Sequence, residues 1–226
     1  MRALAFVLLF FTLGAVRPAH ASLFAEDCAR HLPPISVTAR IAPMSLALDT
    51  EHTLAELNRY HPIPAPWVRL GLTQARPGHQ VSVQVPAYRA ADAVEFCGSP
   101  QVQITVDVNP VTVFVAAEFP RGSCEYRAIY EHEQKHVAVY QSFLYWTSQE
   151  LARDVQAVVG REFLTATSQD ALYATADRLT KRVIANRIGE WLKNLERVQH
   201  EVDTPQEYAR VAALCPFTQV HRPAHW

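Results

Sequence analysis

The sequence predicts an α+β protein: a small, mostly antiparallel sheet, then a long helical hairpin and a short C-terminal helix. Three observations carry this. Apolar and polar residues alternate through residues 35–119, the period changes to three and four after Pro120, and the two patterns do not interleave. Of 226 residues, 49% are hydrophobic and 19% charged, which is ample for a core and too apolar for a disordered chain. A net charge of −1 lacks the basic surplus of a nucleic-acid binder.

Met1 and Arg2 precede an uncharged, mostly apolar stretch, Ala3–Val16, which Arg17-Pro18 ends. Ala19-His20-Ala21 then supplies small residues two apart. This is the pattern of a secretory signal peptide cleaved after Ala21, and the run is shorter than the roughly 18–20 residues a span needs. The expected organisation is a leader over 1–21 and one domain over 22–226, with a strand-rich part to 119 and a helical part over 120–215. Loss of Arg2 and Arg17 would take the charge from −1 to −3. The expected location is secreted or periplasmic, with no stable membrane insertion after cleavage.

In the strand-rich part, Ile35–Ile41, Val81–Val85, Val102–Val106 and Val111–Val115 alternate as strands do. Asn109-Pro110 reads as a turn between the last two. A short helix near Thr53–Tyr60 and a proline-rich loop, residues 61–66, interrupt the series. Ser123 can cap a helix running through Ile129, Val137, Leu144, Leu151 and Val155. Residues 160–167 look like a reversal, and Thr167 or Ser168 opens a second long helix. Thr204-Pro205-Gln206-Glu207 is a capping box with proline at the first helical position, so a third helix runs to about Leu214.

Cys28, Cys97, Cys124 and Cys215 are an even number in a chain expected to be exported, which favours two disulfides. Elimination favours Cys97 with Cys124 and Cys28 with Cys215. The absence of a C-x-x-C pair argues against a thiolate zinc ribbon.

Inside the first long helix stands His132-Glu133-Gln134-Lys135-His136, an H-E-x-x-H motif. Histidines at i and i+4 share one helix face and can hold one zinc ion. The glutamate between them can take a proton from a water whose acidity the ion has raised. Two ordinary histidines among solvated charges, Glu131, Glu133 and Lys135, is the plain alternative. Val139 and Phe143 continue the stripe and turn it towards the interior.

Through this motif and the strand Val111–Glu118 before it, the chain resembles the zincin metallopeptidases over roughly residues 100–200. It is also similar to small exported bacterial proteins grouped as zinc peptidases. The resemblance implies one Zn2+ per chain, a peptide or protein substrate, and an edge strand, here Val111–Glu118, that holds the substrate extended. Metzincins are excluded, because Val139 and Ser142 stand where their glycine and third histidine would be.

A catalytic zinc needs a third protein ligand. An antiparallel hairpin turning near 163–164 places His136 opposite 191 and His132 opposite 195, so Glu190 is the expected ligand. Gluzincins take a glutamate from a following helix, often with an acid four residues on; here that residue is Asn194. His200 and Asp203 would serve if the hairpin turned later. Glu150 and Asp154 lie turns away on the motif's own helix. Tyr130, Tyr140 and Tyr208 are the phenols that could stabilise an oxyanion. Two other functions compete: a non-enzymatic, disulfide-tied binding module with an accidental or structural metal site, and metal buffering that also uses His221 and His225.

Overall fold

The computed structural model describes residues 19–60, 68–215 and 217. The expected leader up to residue 18, the proline-rich loop at 61–66, and His221 and His225 lie outside them. The class is α+β, and one hydrophobic cluster runs through both halves, from Val102–Val115 on the sheet to Ile129, Leu151 and Ile184 on the helices. Among the described residues no helix is long and apolar enough to cross a membrane.

The sheet corrects the antiparallel expectation. Its centre is β6, Gln101–Val115. β1, Ser36–Ile41, and β2, Leu46–Asp49, pair with successive parts of one edge, both parallel. β3, Gly71–Gln84, pairs antiparallel along the other. Alternation reports which residues face the core and carries no strand direction, so a mixed sheet reads like an antiparallel one. A second sheet, β4 (Ala87–Tyr88), β5 (Phe96–Gly98) and β7 (Leu164–Ala166), is antiparallel.

Asn109-Pro110 does not turn the chain; it lies inside β6, with a cis peptide bond. Proline has no N–H to give a ladder, and both neighbours are interrupted there. β3 shifts register between Ala75 and Pro77, and β1 has ended before β2 begins. The Asn109 side chain fills the gap, accepting from Ser45 N at 2.8 Å and donating to Pro43 O at 3.1 Å. A consequence is that Val111–Val115, expected at an edge, is central. It is flanked by β2 and by Gly71–Ala75 of β3. Among the described residues β3 has a partner on one side only, as do β1 and β2 at the opposite edge.

The helices follow their caps. Ser123 accepts from Tyr126 N and opens α3, Cys124–Val159; Ser168 accepts from Ala171 N and opens α4, Gln169–Val202. Thr204 accepts from Glu207 N and opens α5, Pro205–Leu214. α2, Leu54–Tyr60, is held to the end of β6 by Glu118, whose carboxylate accepts from Leu54 N at 2.9 and 3.0 Å. α1, Ala19–His31, contains the position where cleavage was expected.

All four cysteines are oxidised, in pairs that correct the expected ones: Cys28 with Cys97, and Cys124 with Cys215. Cys28 on α1 lies against β5, so it meets the cysteine of that strand. α5 doubles back along α3 and brings Cys215 to the first residue of that helix. The Cα atoms stand 6.2 and 5.7 Å apart, as bridging requires.

A candidate metal centre between α3 and the α4–α5 corner

The first third of α3 lies over β3 and buries the motif. His132 is 8% exposed and Glu133 4%. Asp203, at the C-cap of α4, reaches both histidines with one oxygen: Oδ1 is 3.2 Å from His132 Nε2 and 3.3 Å from His136 Nε2. All three donor atoms lie within 4.8 Å of one another. Ligand atoms about 2.0–2.1 Å from a tetrahedral zinc sit about 3.3 Å apart, so the separations fit a shared ion as well as they fit hydrogen bonds. Two imidazoles and a carboxylate are also a donor set zinc accepts.

The other ring nitrogens are held as well. His136 Nδ1 is 2.6 Å from Gln199 Oε1, and Gln199 Nε2 donates back to the His136 carbonyl at 3.3 Å. His132 Nδ1 is 3.3 Å from Glu207 Oε1. Contacts of this kind hold each ring with Nε2 facing Asp203, where it can donate to the carboxylate or, in its unprotonated form, ligate an ion. Glu207 is itself anchored by Lys135 at 2.6 Å and by Arg210 at 2.7 and 2.9 Å.

Electrostatics separates the acids. Arg210, Lys135 and His132 bring Glu207 down to about 2, against burial. Burial would raise Asp203, but bonds to His132 and His136 outweigh it and hold the carboxyl well below its usual range. Glu133 goes the other way: burial pushes it up, and its neighbouring histidines and Thr73 only partly oppose this. Thr73 Oγ1 on β3 donates to Glu133 Oε2 at 2.8 Å. Burial works against the His136 imidazolium, yet Asp203, Glu133 and Gln199 raise that group overall. Burial, then Asp203 and Glu133, raise the Tyr208 phenol, whose ring centre is 5.7 Å from that of His132.

Glu190, the expected third ligand, is not brought to the histidines. Its side chain is 69% exposed and paired with Arg187 at 3.1 Å. Asp203 stands in its place because the hairpin is offset. β7 carries the connection out to pair with β5 before α4 begins, so His132 faces 203 instead of 195, and His136 faces 199 instead of 191. Along a helix that is a slide of about 12 Å. Asp154 instead accepts from Arg187 at 2.7 Å. Gln199, Glu207 and Thr73 had no place in the sequence argument. Glu207 carried a signal, but it was read only as half of a capping box; its carboxylate faces the site. Comparison with protein-family models, curated proteins and solved structures finds no match to this chain.

Proposed function

We propose that the chain is an exported zinc-dependent metallopeptidase. The observation that carries this reading is the convergence of His132, His136 and Asp203 beside a buried Glu133 on one helix turn. His132, His136 and Asp203 would hold one zinc ion. Zinc, when bound, supplies Lewis acidity that raises the acidity of a water and polarises a carbonyl. Glu133 is the base: its raised affinity for a proton, at a carboxylate steadied by Thr73, suits a group that takes a proton from water and hands it to the leaving amine. The Tyr208 phenol, close to Asp203 and His132, is the best placed of the three tyrosines to donate to a developing oxyanion.

The substrate would lie along β3. That strand has a free edge among the described residues, and its start touches Glu133, so an added strand would pass the reacting groups. Two disulfides support export. The test is Glu133→Gln in zinc-loaded protein against a mixed peptide library. Hydrolysis should fall by roughly 10²–10⁴-fold with zinc content unchanged. Turnover at the wild-type rate refutes the mechanism. No zinc in wild-type protein favours the binding-module reading.

A further inference from the structure

Two cations at the site, Lys135 and Arg210, are engaged by Glu207. Arg69 is a third, and it differs. It is half-buried, and no carboxylate lies within ion-pair distance of it among the described residues. A guanidinium partly withdrawn from water, with no acidic partner among the described residues, keeps its fork of donors available for an anion.

Its position is built. Asn58 of α2 clamps the backbone from both sides, its Oδ1 accepting from Arg69 N at 2.9 Å and its Nδ2 donating to Arg69 O at 3.0 Å. The ladder reaches Leu70, whose carbonyl accepts from Ala116 N at 3.0 Å. Arg69 thus stands two positions before Gly71, where the chain bends at Leu70 to enter β3. Thr73 bonds Glu133, and a Cβ at Gly71 would lie 2.8 Å from Glu133 Oε1. Those contacts hold the Arg69 backbone at the end of β3 that lies against the motif.

We propose that Arg69 recognises a carboxylate of the bound peptide, supplied by its C-terminus or by an acidic side chain. At about 3.3 Å per residue, Arg69 stands roughly 7–13 Å along the strand from Gly71 and Thr73, which places the anion two to four residues from the scissile bond. The inference rests on the peptidase reading for calling that peptide a substrate.

The test uses the full chain carrying Glu133→Gln, so that peptides bind and stay intact, with affinities from titration calorimetry. One pair of blocked octapeptides differs by a free C-terminal acid or its amide; a second, amidated pair differs by Glu or Gln within the sequence. The carboxylate member of one pair should bind about tenfold more tightly than its neutral partner. Arg69→Leu should erase the difference, and Arg69→Lys should retain part of it; zinc content and thermal unfolding check that both variants are folded. The first pair identifies a C-terminal carboxylate, the second an acidic side chain. No preference, a preference that survives Arg69→Leu, or no binding of any peptide overturns the proposal. Incubating the preferred peptide with the wild-type enzyme separates the two readings: an Arg69-dependent preference without cleavage sinks the peptidase and leaves the anion site, and cleavage without preference does the reverse.

Discussion

Gly71→Ala is the sharpest single test of how β3 supports the motif. A Cβ at residue 71 would sit 2.6 Å from Ile129 Cγ2, 2.8 Å from Glu133 Oε1 and 3.0 Å from the Phe114 carbonyl. The carbonyl belongs to the central strand and cannot yield without breaking the ladder. Ile129 is 2% exposed, so its rotation displaces other core atoms. Overpacking of this kind costs about 1–3 kcal/mol, or roughly 2–12 °C of midpoint in a chain this long. Glu133 can yield, but only by moving about 0.5 Å and loosening its bond to Thr73. A misplacement of about 1 Å can cost on the order of 100-fold, so roughly tenfold in turnover is expected. The control is Gly189→Ala in α4, where a Cβ meets nothing within 4 Å; it should stabilise by about 0.5–1 kcal/mol. Thermal and urea unfolding of both variants, with turnover measured alongside, decide the matter. If Gly71→Ala unfolds and turns over like wild type, the contact between β3 and the motif is misread.

Three further outcomes are expected. Asp203→Ala should lose zinc under dialysis that leaves Glu190→Ala at one ion per chain by elemental analysis; equal retention in both moves the third ligand elsewhere. Glu207, at about 2 against an ordinary 4.5, has its lower value in the folded state. The stability it lends is therefore full above pH 4.5 and lost as the pH falls towards 2. Urea unfolding of chelator-stripped protein should show this loss, and Glu207→Gln should flatten it; parallel curves refute the assignment. Replacing Cys124 and Cys215 by serine opens a link across 91 positions and should cost about 2–5 kcal/mol. Zinc affinity should fall with it, because α5 carries Glu207 to His132; unchanged affinity would show that α5 holds its place without the bridge.

Local signals were legible. Ser123, Ser168 and Thr204 cap the helices the sequence assigns to them, because a cap is a contact between a side chain and an amide three residues on. The motif is legible for the same reason, since i and i+4 meet on any helix. What failed was long-range. Strand direction, the path through Asn109-Pro110 and the pairing of the cysteines each depend on which segments meet, and alternation carries no such information. Thr73 shows the limit: nothing in its neighbours marks a threonine that will hold Glu133 from 60 residues away.

The candidate third ligand shows how one such failure propagates. The reversal was expected near 163–164, and β7 occupies 164–166. The offset enters because three residues in that connection pair with β5 instead of turning back, so α4 starts beyond the end of α3. The facing pairs at the motif then slide by eight residues, which is enough to exchange a border glutamate for the C-cap of the helix. That exchange changes the site's physical character. A ligand in mid-helix would be set by the packing of two helices alone. Asp203 instead sits at the corner where α4 becomes α5, next to the Thr204 cap and four residues from Glu207. Its position therefore depends on α5, and α5 is tied to the start of α3 by Cys124–Cys215. The histidines and the group that faces them are thus joined by a covalent link and by the Lys135–Glu207–Arg210 cluster, so the stability of the corner and the geometry of the candidate metal centre should vary together.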